Sequence, residues 1–119
     1  MGKAREFLAT MESALVGGQW DSAGLAAIHA GISAGDAILA FHGGVRSAGQ
    51  DHRATVDLLV RIMGPSALES AKHLRRLIDK KNLVEYESRR STAREAVEAV
   101  KRADRLVAWA TEVVNEARV

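Results

Sequence analysis

Apolar side chains recur three or four residues apart in five segments of this chain, and no run alternates with the period of two that is typical of a strand. Such spacing places the apolar side chains on one face of a helix. Alanine, leucine and valine are abundant and there is a single proline, a composition that favours helix over sheet. We therefore predict an all-α protein.

Glycine and proline divide the helical pattern into its parts. Breaks follow the first three helices, at Gly17-Gly18, Gly43-Gly44 and Gly64-Pro65. The last two helices open with capping boxes, Ser66-Ala67-Leu68-Glu69 and Thr92-Ala93-Arg94-Glu95. Asp21 is the predicted N-cap of helix two. The first three predicted helices cover residues 3–16, 21–41 and 51–63.

These elements predict one domain over residues 1–119, folded as an antiparallel up-and-down bundle of four long helices and one shorter helix. Small residues on helix two would let a neighbouring helix approach closely: Ala26, Ala27, Ala30, Gly31 and Ala34. The predicted inward side chains of helix four are Leu68, Ala71, Leu74, Leu77 and Ile78. Those of helix five are Ala96, Val97, Val100, Ala103, Val107, Ala110 and Val114.

Several kinds of site are excluded by the residues present. The chain has no cysteine, so it holds no disulfide, thiolate zinc site or cysteine nucleophile. Its four histidines form no i, i+4 pair, and its glycines match no phosphate-binding loop, so we predict neither metal nor cofactor. Asp51 and His52 could still join His42 at a metal, or could simply cap and pack helix three. His29 lies among small apolar residues, which favours a core histidine.

The location of the chain is predicted from two features. The start, residues 1–6, lacks the apolar run of a signal peptide, and no stretch approaches the roughly 20 apolar residues of a membrane span. The longest weakly polar stretch, residues 24–44, is interrupted by His29, Asp36 and His42. We expect a cytoplasmic protein without a membrane segment, which also suits the absence of cysteine.

Positive charge is concentrated in one part of the sequence. Residues 72–94 contain eight basic and three acidic side chains, whereas the whole chain carries a net charge of only +2. A local basic surface attracts phosphate groups, although the same residues could form an ordinary solvated helix face. The predicted nucleic-acid-binding residues are Arg76, Lys80, Lys81, Arg89 and Arg90.

Three motifs, spread over about residues 20–114, together resemble the HEPN group (higher eukaryotes and prokaryotes nucleotide-binding domains). They are the helix-two pattern AAIHAGISAGDAIL at residues 26–39, the sequence Gly49-Gln50-Asp51-His52, and Lys80-Lys81-Asn82 followed by Glu85-Tyr86. The resemblance implies a helical bundle that often dimerises. Many HEPN proteins are metal-independent ribonucleases, including toxins of toxin–antitoxin pairs.

The ribonuclease signature of that group is an arginine followed, after four to six residues, by a histidine. The resemblance places Lys81 at the arginine, Asn82 at the polar position that often follows it, and Tyr86 at the histidine. Lysine cannot clamp a phosphate bidentately, and tyrosine, with a pKa near 10, is a poor base at neutral pH. The nearest histidine on the same helix, His73, stands about 12 Å from Lys81 along the axis.

The sequence therefore predicts a HEPN-like module that binds RNA or nucleotide with little or no catalysis, in a toxin–antitoxin or defence system. We expect a homodimer, from the small-residue face of helix two and from the habit of the family. Two alternatives stay open: a dimeric interaction partner of another protein, and an atypical ribonuclease that uses Lys81, Asn82 and Tyr86.

Overall fold

The computed structural model describes residues 1–42, 52–87 and 90–117, without the side chains of residues 83–87 and 117. In these ranges the chain forms five α-helices and no strand, which confirms the all-α prediction. The helices are α1 (Gly2–Val16), α2 (Trp20–His42), α3 (His52–Met63), α4 (Leu68–Glu87) and α5 (Ala93–Ala117). A short 3-10 turn, Pro65–Ala67, separates α3 from α4.

Helix α2 forms the centre of the fold and contacts each of the other four helices. Its small residues allow this, because an added Cβ at Gly31 would lie 2.6 Å from Leu77 Cδ1 and one at Gly35 would lie 3.1 Å from Leu74 Cδ2. Residue numbers fall along α4 as they rise along α2, so these two helices run in opposite directions. The small-residue face of α2 is thus covered within the chain, and it no longer supports a dimer formed through that face.

The length and composition of α2 would fit a membrane span, contrary to the expectation that no stretch comes close. Most of its apolar window is nevertheless buried inside the protein. Its buried residues are mostly alanine, glycine and isoleucine, for example Ala27, Gly31 and Ile38. Packing against four other helices accounts for the apolar character of α2, since a central helix is apolar on all sides.

The start of α2 differs from the prediction. The amide of Ala23 donates to the carbonyl of Gln19 at 2.9 Å, so the helix begins at Trp20 and Asp21 lies inside its first turn. The Asp21 carboxylate accepts instead from the Ser91 amide, at 2.6 Å. Asp21 therefore links the start of α2 to the segment before α5, while its charge still favours the positive end of the helix dipole.

One of the two predicted capping boxes is present. At α5 the Thr92 hydroxyl accepts from the Glu95 amide at 3.2 Å, and the Glu95 carboxylate accepts from the Thr92 amide at 3.1 Å. The box predicted at Ser66 is wrong, because the Ser66 hydroxyl donates to the Met63 carbonyl at 3.4 Å and α4 begins only at Leu68. Pro65, with its fixed φ, opens a 3-10 turn there.

The predicted core is confirmed at most positions and wrong at two. Leu68 is 49% exposed because it is the first residue of α4, at the end of the packed region. Val97 is 38% exposed because it lies one residue, or about 100°, from the buried line of α5. That line includes Leu106, which the prediction omitted and which is completely buried.

Candidate anion-binding groove

A groove follows the junction of α4 and α5 on the surface of the protein. It has two adjoining sections, of about 260 Å³ and about 900 Å³, and both are bordered by Arg76, Asp79 and Arg102. The smaller section continues towards the start of α5, and the larger continues towards the start of α4. We call this surface the anion-binding groove, for the charges described next.

In the smaller section, the basic side chain of Lys80 already has an acidic partner. Lys80 Nζ lies 3.0 Å from the Glu95 Oε2 atom, and both side chains are mostly covered. The other oxygen of Glu95 accepts from the amide of Thr92, as described for the helix cap. Lys80 thus ties α4 to the first turn of α5, so its charge is largely neutralised before any ligand arrives.

The floor of the groove holds Arg102, which bridges the two helices. Its Nη1 donates to His73 Nδ1 on α4 at 3.2 Å, and its Nη2 donates to Glu98 Oε1 on its own helix at 3.0 Å. Burial lowers the pKa of His73, and the Arg102 charge lowers it further. A neutral His73 can accept at Nδ1, in which case its proton is on Nε2.

Three other cations along the groove lack the kind of partner that Lys80 and Arg102 have among the described residues. Lys72, Arg75 and Arg76 are exposed on α4 and border the larger section. None of the three makes an ion pair or a side-chain hydrogen bond with the part of the chain that the structure describes. Their positive charges are therefore available to an anion in solution.

The predicted nucleic-acid-binding residues do not all meet at one surface. Arg76 borders both sections of the groove and Lys80 the smaller one, whereas Lys81 borders a cavity of about 40 Å³ between α2 and α4. Arg90 also borders the smaller section, with its side chain 95% exposed and 3.9 Å from Asp21. Arg89 lies outside the described residues.

The resemblance-based catalytic residues are only partly visible. Lys81 and Asn82 are half-buried on α4. Tyr86 lies on the same helix, among the residues whose side chains the structure does not describe. Asp51 is likewise outside the described residues. No group of three metal-binding side chains occurs among the described residues.

A histidine from another helix, His29, lies within electrostatic reach of Lys81. His29 is half-buried on α2 and stacks on Phe7, with ring centroids 5.2 Å apart. Burial lowers its pKa most, followed by the charges of Lys81 and His52. The Nδ1 atom of His52 is buried and has no hydrogen-bond partner in the part of the chain that the structure describes. His29 is thus a partly buried histidine within electrostatic reach of a lysine, and not a core residue.

Some residues of the groove could have been found from the sequence and others could not. Lys72, Arg75 and Arg76 are spaced so that they share one helix face, and the sequence prediction named only Arg76 of the three. Arg102 and His73 are 29 residues apart, and their hydrogen bond depends on the packing of α4 against α5. No short-range signal marks that pair.

Comparison with protein-family models, with curated proteins and with solved structures gives no match to this chain. The HEPN resemblance therefore rests on the sequence motifs alone. What the protein binds must be argued from its own side chains, and the anion-binding groove provides the strongest set of them.

Proposed function

We propose that this chain is a HEPN-like up-and-down helical module that binds RNA or a nucleotide through the anion-binding groove, with little or no catalysis. The observation that carries the proposal is a set of three cations, Lys72, Arg75 and Arg76, that have no acidic partner among the described residues and lie beside a groove of about 900 Å³. Cations without acidic partners attract phosphate most strongly, because no internal ion pair must be broken first.

Lys80 contributes less to the proposed binding, because it is held by Glu95. Arg102 is held by His73 and Glu98 but keeps three of its five N–H donors. A ligand phosphate that drew Lys80 away would break its ion pair with Glu95 and weaken the link between α4 and α5. We therefore place the main phosphate contacts at the first half of α4, earlier in the chain than the sequence predicted.

The proposal of weak catalysis rests on the replaced motif residues. Lys81 retains the positive charge of an arginine but not its planar fork of donors, and a tyrosine such as Tyr86 is in general a weaker base than a histidine at neutral pH. Binding can survive the loss of both groups, because the unpaired cations lie elsewhere on α4. A module of this kind would suit a toxin–antitoxin or defence system, in which a helical domain holds RNA or a nucleotide.

The test is a titration of labelled single-stranded RNA at 50 mM and 200 mM salt. A triple variant, Lys72→Ala with Arg75→Ala and Arg76→Ala, removes three charges from the groove. We expect it to weaken binding at least about tenfold at low salt and to flatten the salt dependence, since about three fewer counterions are released.

A matched control removes three exposed charges elsewhere: Arg5→Ala, Arg61→Ala and Lys101→Ala. Both triple variants have the same net charge, so equal weakening by the two would show that binding follows net charge alone and would contradict the groove. Absence of RNA and nucleotide binding in the wild-type chain at low salt would reject the proposed function in favour of a protein-interaction role.

A further inference from the structure

Arg102 is held in place before any ligand binds. Its guanidinium donates to His73 from one terminal nitrogen and to Glu98 from the other, at 3.2 Å and 3.0 Å. Guanidinium has five N–H donors, so three remain for a ligand. Because its side chain is already fixed, less conformational freedom is lost when it binds an anion than for a mobile surface arginine.

The unpaired cations near Arg102 occupy a short distance along α4. From Lys72 to Arg76 the helix axis advances by about 6 Å. Successive phosphates on one strand of a duplex are about 3.4 Å apart along its axis, so the cations match about two neighbouring phosphates. The positive charge of this cluster is therefore matched to a compact anion, and a long phosphate backbone would extend beyond the cluster.

The excess of positive charge ends on both sides of this cluster. Glu69 borders the same section of the groove one turn before Lys72. Beyond Arg76, Asp79 lies 3.6 Å from Arg53, and Lys80 is paired with Glu95. Arg90, which borders the far end of the smaller section, lies 3.9 Å from Asp21. A polyanion that continued along the groove in either direction would meet an acidic side chain or a neutral pair, which gives it no further attraction.

We propose that the anion-binding groove recognises a terminal polyphosphate, and that Arg102 is the residue that selects it. The chemistry is that of a nucleoside triphosphate or of the 5′-triphosphate end of an RNA. Arg102 donates to the oxygens of one phosphate, while Lys72 and Arg76 neutralise the next. This inference rests on the proposed function and adds to it the class of ligand and the selecting residue.

His73 and Glu98 act in this scheme as positioning residues, since each holds Arg102 without itself supplying a positive charge. Replacement of Arg102 by lysine keeps the charge but removes the planar fork of donors. The informative quantity is therefore the ratio of the affinities for two forms of one ligand, with and without the terminal polyphosphate. A loss of folded protein would reduce binding of both forms equally and leave their affinity ratio unchanged.

The experiment compares one single-stranded RNA in two forms, with a 5′-triphosphate and with a 5′-hydroxyl, and uses ATP and adenosine as competitors. We expect the 5′-triphosphate RNA to bind at least about tenfold tighter, the equivalent of one hydrogen bond to a charged group. R102K and H73A should reduce that ratio towards one. The matched control R94K, an exposed arginine on α5, should leave it unchanged.

The arms also distinguish the two sources of the phosphate group. Competition by ATP but not by adenosine supports the inference with a free nucleotide as the ligand, and a 5′-triphosphate preference without ATP competition supports it with an RNA end. Equal binding of the two RNAs without ATP competition would overturn the inference and leave the proposed function standing. An unchanged ratio in R102K would overturn the role of Arg102. No binding of RNA or ATP at all would instead reject the proposed function.

Discussion

The close approach of α2 and α4 can be tested with one alanine substitution. An added Cβ at Gly31 would lie 2.6 Å from Leu77 Cδ1 and 3.3 Å from Leu106 Cδ2. Both leucines are completely or almost completely buried, so neither can move aside without displacing other core atoms. Overpacking of this kind costs about 1–3 kcal/mol, against which alanine gains up to about 1 kcal/mol of helix propensity over glycine.

A matched control in the same helix separates the two effects. An added Cβ at Gly24 meets only Ser91 Oγ, at 3.8 Å, which is an ordinary contact. Gly24→Ala should therefore stabilise the protein by about 0.5–1 kcal/mol. Because both variants share the propensity gain, the difference between them isolates the overpacking term, about 1–3 kcal/mol in favour of Gly24→Ala.

The assay is urea unfolding of the two variants and the wild-type chain, followed by circular dichroism at 222 nm. The free energies of unfolding are compared after checking that the slopes with urea agree, since a changed slope would indicate a changed unfolded state or an intermediate. If Gly31→Ala proves as stable as Gly24→Ala, or more so, the tight contact between α2 and α4 is refuted.

Three other predictions can be tested. The HEPN resemblance, and no longer the small-residue face of α2, predicts a homodimer at micromolar concentration, and a monomer mass in light scattering would contradict this. The wild-type chain should not cleave unstructured RNA at pH 7; robust cleavage that is abolished by Lys81→Ala, Tyr86→Phe or His29→Gln would show a working site. Because burial lowers the pKa of His29 and of His73, the unfolded chain binds more protons just below the ordinary value of 6.5, and the free energy of unfolding should fall as pH drops through that value. A double variant, His29→Gln with His73→Gln, should lose part of this dependence in urea unfolding at pH 7.5 and 5.5, and an unchanged slope would count against it.

Much of the fold could be predicted because its signals are local. The Thr92 box acts over three residues, and the buried line of α5 repeats every three or four residues, so neither depends on knowledge of the other helices. The errors arise where a neighbouring element intervenes. Ser66 resembles a cap, but Pro65 already directs the chain into a 3-10 turn. Asp21 resembles a cap, but its carboxylate accepts a hydrogen bond from the Ser91 amide instead.

The candidate site was harder to predict because its properties depend on which charges are paired. Basic residues are dense over residues 72–94, and nothing in the sequence distinguishes Lys80 from Arg76. The fold separates them, since Lys80 meets Glu95 and Arg76 meets no acid in the described part of the chain. Likewise, only the packing of α2 against α4 brings His29 within electrostatic reach of Lys81. Pairing between distant residues is a tertiary property, which helical spacing does not encode.

The packing of α2 also determines which side of α4 presents the free cations. The Leu74 and Leu77 side chains point at Gly35 and Gly31, and this contact fixes the rotation of α4 about its own axis. Residues 72, 75 and 76 are thereby directed away from α2, towards solvent and the groove. Lys81 is four residues after Leu77 and so lies on the α2 side, where it borders the small cavity. The glycines of α2 therefore help to set the rotation of α4. That rotation places the basic residues 72, 75 and 76 towards solvent and Lys81 towards α2.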